Sequence, residues 1–554
     1  MYPRKPCLIR TWFSGCYLAT RRIKAALSVL AFSRHRRMKR LVKLIRTPLI
    51  PLFAVCCLPL QAAISLDAKD DKSIFRDSDR ALMDSAPVKP GSPAETARRS
   101  FEAGAHEEAV KLALPLAEQG DADAIYLLGF AHETGQGAEL SAGKAEEYYR
   151  RGVAKGHADS AFRLAFMLMS TKDETSVLEA QAILEKQALA DPAIAGRILG
   201  EAFLLGRFTG KPDPEKAVKS WKSAADAGDV PSMLFVARFY DGQMGFTDRK
   251  DPALSLLYFG KAADAGNTGA MVALGSRMLF GDEAGRDEKR GLAFLEKAIA
   301  GKDASAYLAL GTWQETVKKD PKAALAEFER GKDAGQPGSM IRAAEYYIGG
   351  KGTAKDVPHG IGILEKAAEG GNAQAHLMLA AHILQSEKPD TLSGYTHLLA
   401  ASNGGLAAAQ NELGLFYLSG ALGVADASSA ASWFSRAAQA NFAAAQNNLA
   451  ALHERGTGVE QSYEKAAQLY ALAAQQGHAS ATLALARFHA AGAATAVNRP
   501  RAWALGKIAG DRGEANAAEF LKTLEKEFTK EQLAEAKKEL GRMTSDKPSD
   551  KPAK

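Results

Sequence analysis

The side chains best equipped for chemistry in this 554-residue chain are its 11 histidines, because a neutral imidazole ligates metals and moves protons near pH 7. Their spacing argues against both uses. His376 and His382 are six residues apart, about 240° around a helix, so their rings leave on different sides and cannot grip one ion. His478 and His489 are eleven apart, roughly 16 Å along a helix, which is too far. His132, His453 and His489 recur at one position of a repeat where other copies carry Tyr, so they read as imidazoles filling an aromatic seam. Gly349-Gly350-Lys351-Gly352-Thr353 has the composition of a phosphate-gripping loop, but its spacing is wrong and no strand leads into it. The pairs Glu107-Glu108 and Glu146-Glu147 fall early in helices, where they favour the helix dipole and face water. Neither His-Glu-x-x-His nor a Gly-x-Ser-x-Gly nucleophile turn occurs. The expectation is a non-enzyme with no catalytic, cofactor or metal site.

The elements that carry these residues repeat. Gly120, Gly156, Asp191, Gly228, Gly266, Lys302, Gly335, Gly371, Gly405, Asn441, Gly477 and Gly513 mark equivalent points 33 to 38 residues apart. Counting from each anchor, a small residue stands at +4, an apolar one (mostly Leu) at +8, Gly or Ala at +9, and usually a large one at +12. Spacings of four place these on one helical stripe, and the small residues let a neighbouring helix approach closely. Near +15 a glycine closes that helix: Gly135, Gly206, Gly281, Gly350, Gly420, Gly456 or Gly492. A second helix follows and ends on an Ala-Ala pair such as Ala437-Ala438. No stretch alternates with period two, so no sheet is expected.

A helix–turn–helix of about 36 residues cannot bury its apolar faces alone, and stacking buries them. The predicted fold is all-α, a right-handed alpha-alpha solenoid of about twelve such repeats over 94–528. Thr529-x-x-Gln532 reads as a capping box opening a C-terminal lid helix, Glu531 to Leu540, within a capping segment 529–543.

Leu413-Gly414-x-x-Tyr417-x-x-Gly420, Gly456-x-Gly458-Val459 followed by Lys465-Ala466, and Ala473-Ala474-x-x-Gly477 resemble the Sel-one-like repeat of the tetratricopeptide-like superfamily. The resemblance covers about 94–525. It departs from the pattern where inter-helix loops lack Gly-x-Gly, at Thr171–Ser176, Val317–Asp320 and Ser386–Asp390. It implies a scaffold that assembles other proteins.

Charge and cysteine bound the compartment. Residues 1–62 hold thirteen Lys or Arg and no acid, so the remainder has 58 basic residues against 64 acidic. That balance lacks the basic footprint of a nucleic-acid binder. Met38 to Arg46 is basic, Leu49 to Leu60 is apolar, and Gln61-Ala62-Ala63 follows, the order of a secretory signal. Residues 1–37 read as an extension upstream of a start at Met38, 38–63 as a signal peptide cut after Ala62 or Ala63, 64–93 as a disordered linker and 544–554 as a disordered tail. The exported chain is then periplasmic or secreted, without stable membrane insertion. Lipid anchoring through Cys56 or Cys57, or an uncleaved inner-membrane anchor, are the other readings. The remaining cysteines, Cys7 and Cys16, also lie in the leader, so no disulfide framework is available beyond it.

The expected partners are other proteins of the cell envelope, held on the concave face by residues at +7 and +10 beside the packing stripe. These are Arg163, Phe235, Arg238, Arg342, Glu345, Met378, Glu412, Asn448 and Arg487. Phe166 and Phe488 near the same face open a second reading, an envelope assembly factor that binds peptidoglycan or exported polysaccharide.

Overall fold

A computed structural model describes residues 93–171, 173–281, 286–494 and 496–545. The signal with Ala62 and Ala63, Cys56 and Cys57, residues 1–37, the linker up to residue 92 and the tail from 546 lie outside the described residues. Among the described residues there are 26 α-helices, one 3-10 turn (Thr247–Arg249), one π turn (Gln314–Lys318) and no strand. Consecutive helices pack in antiparallel pairs along the chain, an all-α solenoid. They form two compact units, 93–160 with 238–251, and 161–237 with 252–545.

Most joints between repeats share one construction. The anchor residue takes a left-handed backbone, from φ +59° at Asn441 to +95° at Gly228. At most of them the next residue caps the first helix: Asp121 accepts from the Ala124 N–H at 2.9 Å, Asn267 from Ala270 at 2.8 Å, Asn372 from Ala375 at 3.0 Å, whereas Leu406 and Phe442 stand at this place with no side-chain cap. Even His157 and His478 do this through Nδ1. A side-chain acceptor here satisfies a backbone donor that the first turn leaves open. Asp191 is the exception among the anchors. Its φ is −134°, and it ends the long helix Glu174–Ala190 while capping Pro192–Leu204, so this joint has no left-handed residue. Gly281 also differs from the expected cap, leaving its helix at φ −59° and ψ 167°.

Within each repeat the two helices cross at the +9 position. A Cβ on Gly129 would meet the Tyr149 ring at 2.7 Å, one on Gly311 the Phe328 ring at 2.4 Å, and one on Gly414 the Phe434 ring at 2.5 Å. Tyr149, Phe328 and Phe434 are fully buried, so these rings cannot swing away. Gly414→Ala would gain roughly 1 kcal/mol of helix propensity. Overpacking against a locked ring costs about 1–3 kcal/mol. The expected net result is a lower urea midpoint, restored by adding Phe434→Leu. Equal midpoints for wild type and Gly414→Ala would refute the contact as the reason for the glycine.

Bonds between successive repeats have a reach of about one period. Arg151 Nη2 donates to the Ala117 carbonyl at 2.9 Å across 34 residues, and Lys261 Nζ to Asp226 at 2.8 Å across 35. Arg512 Nη1 reaches the Ala474 carbonyl at 2.9 Å, 38 residues back, and Arg501 reaches Glu539, also 38 away. The end of the stack is closed by the helix Lys530–Ser545, longer than the expected Glu531–Leu540. Thr529 and Gln532 exchange the two bonds of a capping box, at 3.0 and 3.2 Å. Its Ala536 is buried against Trp503 and Leu524, and its Leu533 and Leu540 pack on the same cluster.

Candidate functional site

The nine residues expected to bind a partner, at +7 and +10 of the first helices, do not share one environment. Arg163 is buried, 8% exposed. Phe235 is half-buried and stacks on Trp221 at 5.0 Å, and Met378 packs against the Leu364–Leu379 core. Arg238 is half-buried. Glu412 and Arg487 are exposed. Asn448 is half-buried and donates through Nδ2 to Asn411 Oδ1 at 2.9 Å, a side-chain bond between neighbouring first helices. Asn411 Nδ2 in turn donates to Glu412 at 3.3 Å.

Arg342 and Glu345 belong to an internal ion cluster. The first helix Ser305–Trp313 runs on into the π turn Gln314–Lys318, and Lys319 then turns left-handed at φ +58°. This widened turn replaces the missing Gly-x-Gly loop and carries Glu315 to Arg342 and Lys351 of the next repeat. Arg342 also pairs with Glu345 and lies over the Phe328 and Tyr346 rings at 5.3 and 5.6 Å. Burial alone would raise Glu315, but Lys351 and Arg342 hold its carboxyl below the usual range. Burial raises Glu345 despite Arg342. So Lys351, in the loop that imitates a phosphate grip, faces a carboxylate.

Two groups of titratable residues were not expected from the sequence. Glu201 lies one turn beyond Arg197, which pairs with Asp229 at 3.3 Å. Burial pushes the Glu201 carboxyl up to about 7, with Arg197 opposing and Asp229 adding to the shift. The second group is His376 and His397, whose Nδ1 atoms stand 2.9 Å apart on the two helices of one repeat. Burial, and next the neighbouring imidazole, lower the His376 pKa. The seam histidines behave otherwise: His132 Nδ1 meets the Glu139 carbonyl at 2.8 Å and His453 Nδ1 the Glu460 carbonyl at 3.0 Å, each steadying its own inter-helix loop.

Phe488 is 4% exposed and packs edge-on to Tyr463 and Tyr470, so it offers no open ring to a sugar. A shallow cavity of about 720 Å³ lies under the loop 420–428, lined by Phe416, Tyr417, Leu422 and Val424. Its carboxylate, Asp426, is engaged in capping the next helix through the Ser429 N–H at 3.0 Å. Among the described residues no three His, Cys, Asp or Glu side chains converge as a metal site. Nor is any helix among them long and apolar enough to cross a membrane.

The profile of the Sel1 repeat matches seven segments, 122–157, 197–229, 230–267, 268–303, 337–372, 407–442 and 443–478. The gaps between them hold the three loops that lack Gly-x-Gly, so profile and loop chemistry fail together. No curated protein matches. Among solved structures, a protective antigen of uropathogenic Escherichia coli displaying an SLR fold is 23% identical, covering 80% of this chain and 99% of its own, with a TM-score of 0.43. A Sel1 repeat protein from Oxalobacter formigenes is 24% identical over 44% of this chain and 99% of its own, TM-score 0.40. Yeast Tom70 is 14% identical over 85% and 100%, TM-score 0.31. Seven copies of the Sel1 repeat thus lie on this chain's register of paired helices.

Proposed function

We propose that this chain is a non-enzymatic scaffold, exported to the bacterial envelope, which assembles a partner protein complex on its first-helix face. Repeats of this kind generally mediate protein–protein interaction. One observation carries the choice of surface. The first helices Ala407–Ser419, Ala443–Arg455 and Ala479–Ala491 follow one another, the first two joined by the Asn448–Asn411 bond, and Glu412 and Arg487 remain exposed on the first and third. Arg163 and Arg342 are held inside and serve the fold. The basic leader with its apolar run supports export.

The triple variant Glu412→Arg, Asn448→Asp, Arg487→Glu, in the exported chain, is the test. Affinity capture from the envelope fraction of its native cells should lose the protein complex that the wild type enriches, while circular dichroism stays unchanged. Undiminished capture by the variant would rule out this face. Recovery of wall glycan alone would replace the protein scaffold with the glycan-binding reading.

A further inference from the structure

We propose that His376 and His397 form a two-imidazole site for a divalent transition-metal ion of the Zn²⁺ or Cu²⁺ class, which staples the helix Ala373–Leu384 to the helix Thr391–Asn403.

The geometry comes first. The two Nδ1 atoms are 2.9 Å apart, while the ring centres are 5.2 Å apart and the ring planes are inclined by 42°. The rings meet at their nitrogen tips and do not stack. An imidazole nitrogen binds such ions at about 2.0–2.1 Å. Two bonds of that length to donors 2.9 Å apart subtend about 90° at the ion, the angle of neighbouring ligands in tetragonal or octahedral coordination. A tetrahedral ion needs the donors roughly 0.4 Å farther apart, a change within small rotations of the two rings.

Nδ1 of His376 faces Nδ1 of His397 directly, with no other side chain among the described residues between them in hydrogen-bond reach. Both rings are half-buried, which leaves one side of the ion to water.

The place in the fold favours a staple. The loop Ser386–Asp390 lacks Gly-x-Gly, and this helix pair lies in 373–406, which the repeat profile does not match. Its first helix ends at Gln385 with φ −94°, and no residue from 372 to 404 turns left-handed. A metal bridge would supply a link that the shared loop chemistry supplies elsewhere.

The test uses the full chain, stripped with chelator and with its four leader cysteines alkylated. Zn²⁺ and Cu²⁺ are titrated separately by calorimetry at pH 7.5, with bound metal counted by elemental analysis. Wild type and His382→Ala should each bind one more ion than His376→Ala or His397→Ala, and only the first two should gain melting temperature with metal. His397→Gln keeps a hydrogen-bonding partner for His376, so its affinity, expected to fall by more than about tenfold, separates ligation from folding. Equal uptake by wild type and the His376 and His397 variants overturns the site, as does a wild type that takes up neither ion.

Discussion

Glu201→Gln should stabilise the chain at pH 8 by about 2–3 kcal/mol and change little at pH 4.5, where the wild-type carboxyl is protonated in the folded state. The folded state holds this carboxyl up to about 7, above its ordinary value of 4.5. Glu201 therefore favours folding while both states keep the proton, and that advantage is lost as pH rises from about 4.5 through about 7. The cause is desolvation, which the nearby Arg197 only partly offsets because Asp229 already occupies it at 3.3 Å. Gln has the same shape and no charge to bury. Urea unfolding of both proteins at the two pH values reads the difference directly. Identical midpoints at pH 8 would show that Glu201 ionises there without penalty.

Trp221→Ala should cost about 3–5 kcal/mol, the usual range for removing a large aromatic from a packed core. The side chain is 0% exposed, stacks on Phe235, and lies where a Cβ on Gly200 would be 2.2 Å from its Nε1. A site so closely lined cannot collapse to fill the gap. In a repeat stack each unit leans mainly on its neighbours, so the damage should be local. Hydrogen exchange should show lost protection in Pro192–Leu204 and Pro214–Asp226, while Ala443–Arg455 and Ala479–Ala491 keep theirs. A uniform rise in exchange along the chain would mean that the stack unfolds as one block.

The joints and helices were readable in the sequence because their causes are local. A left-handed backbone calls for Gly, or rarely Asn and Lys, and a cap calls for a short acceptor one residue later. Even the Thr529–Gln532 box is decided within four residues. Asp191 was misread as an ordinary anchor, because its spacing fits while its role as a shared cap depends on the longer helix before it. The candidate face was far less readable. Whether Arg342 is free depends on Glu315 and Lys351, 27 residues before it and nine after, brought close by an unforeseen π turn. Sequence spacing sets His376 beside only His382, six residues on along its own helix. Its real neighbour, His397, lies across the repeat, and the rotational phase between two packed helices is not written in either one.

The bonds between repeats have a further consequence for how the chain acquires its structure. The longest of them, from Arg512 and Arg501, close loops of 38 residues. The entropy lost in closing a loop grows only with the logarithm of its length, so each new repeat meets the same modest barrier wherever it stands. Chain length raises neither that barrier nor the separation of the contacts that must find each other. Such a chain can condense progressively from whichever end emerges first, each finished repeat serving as the template for the next.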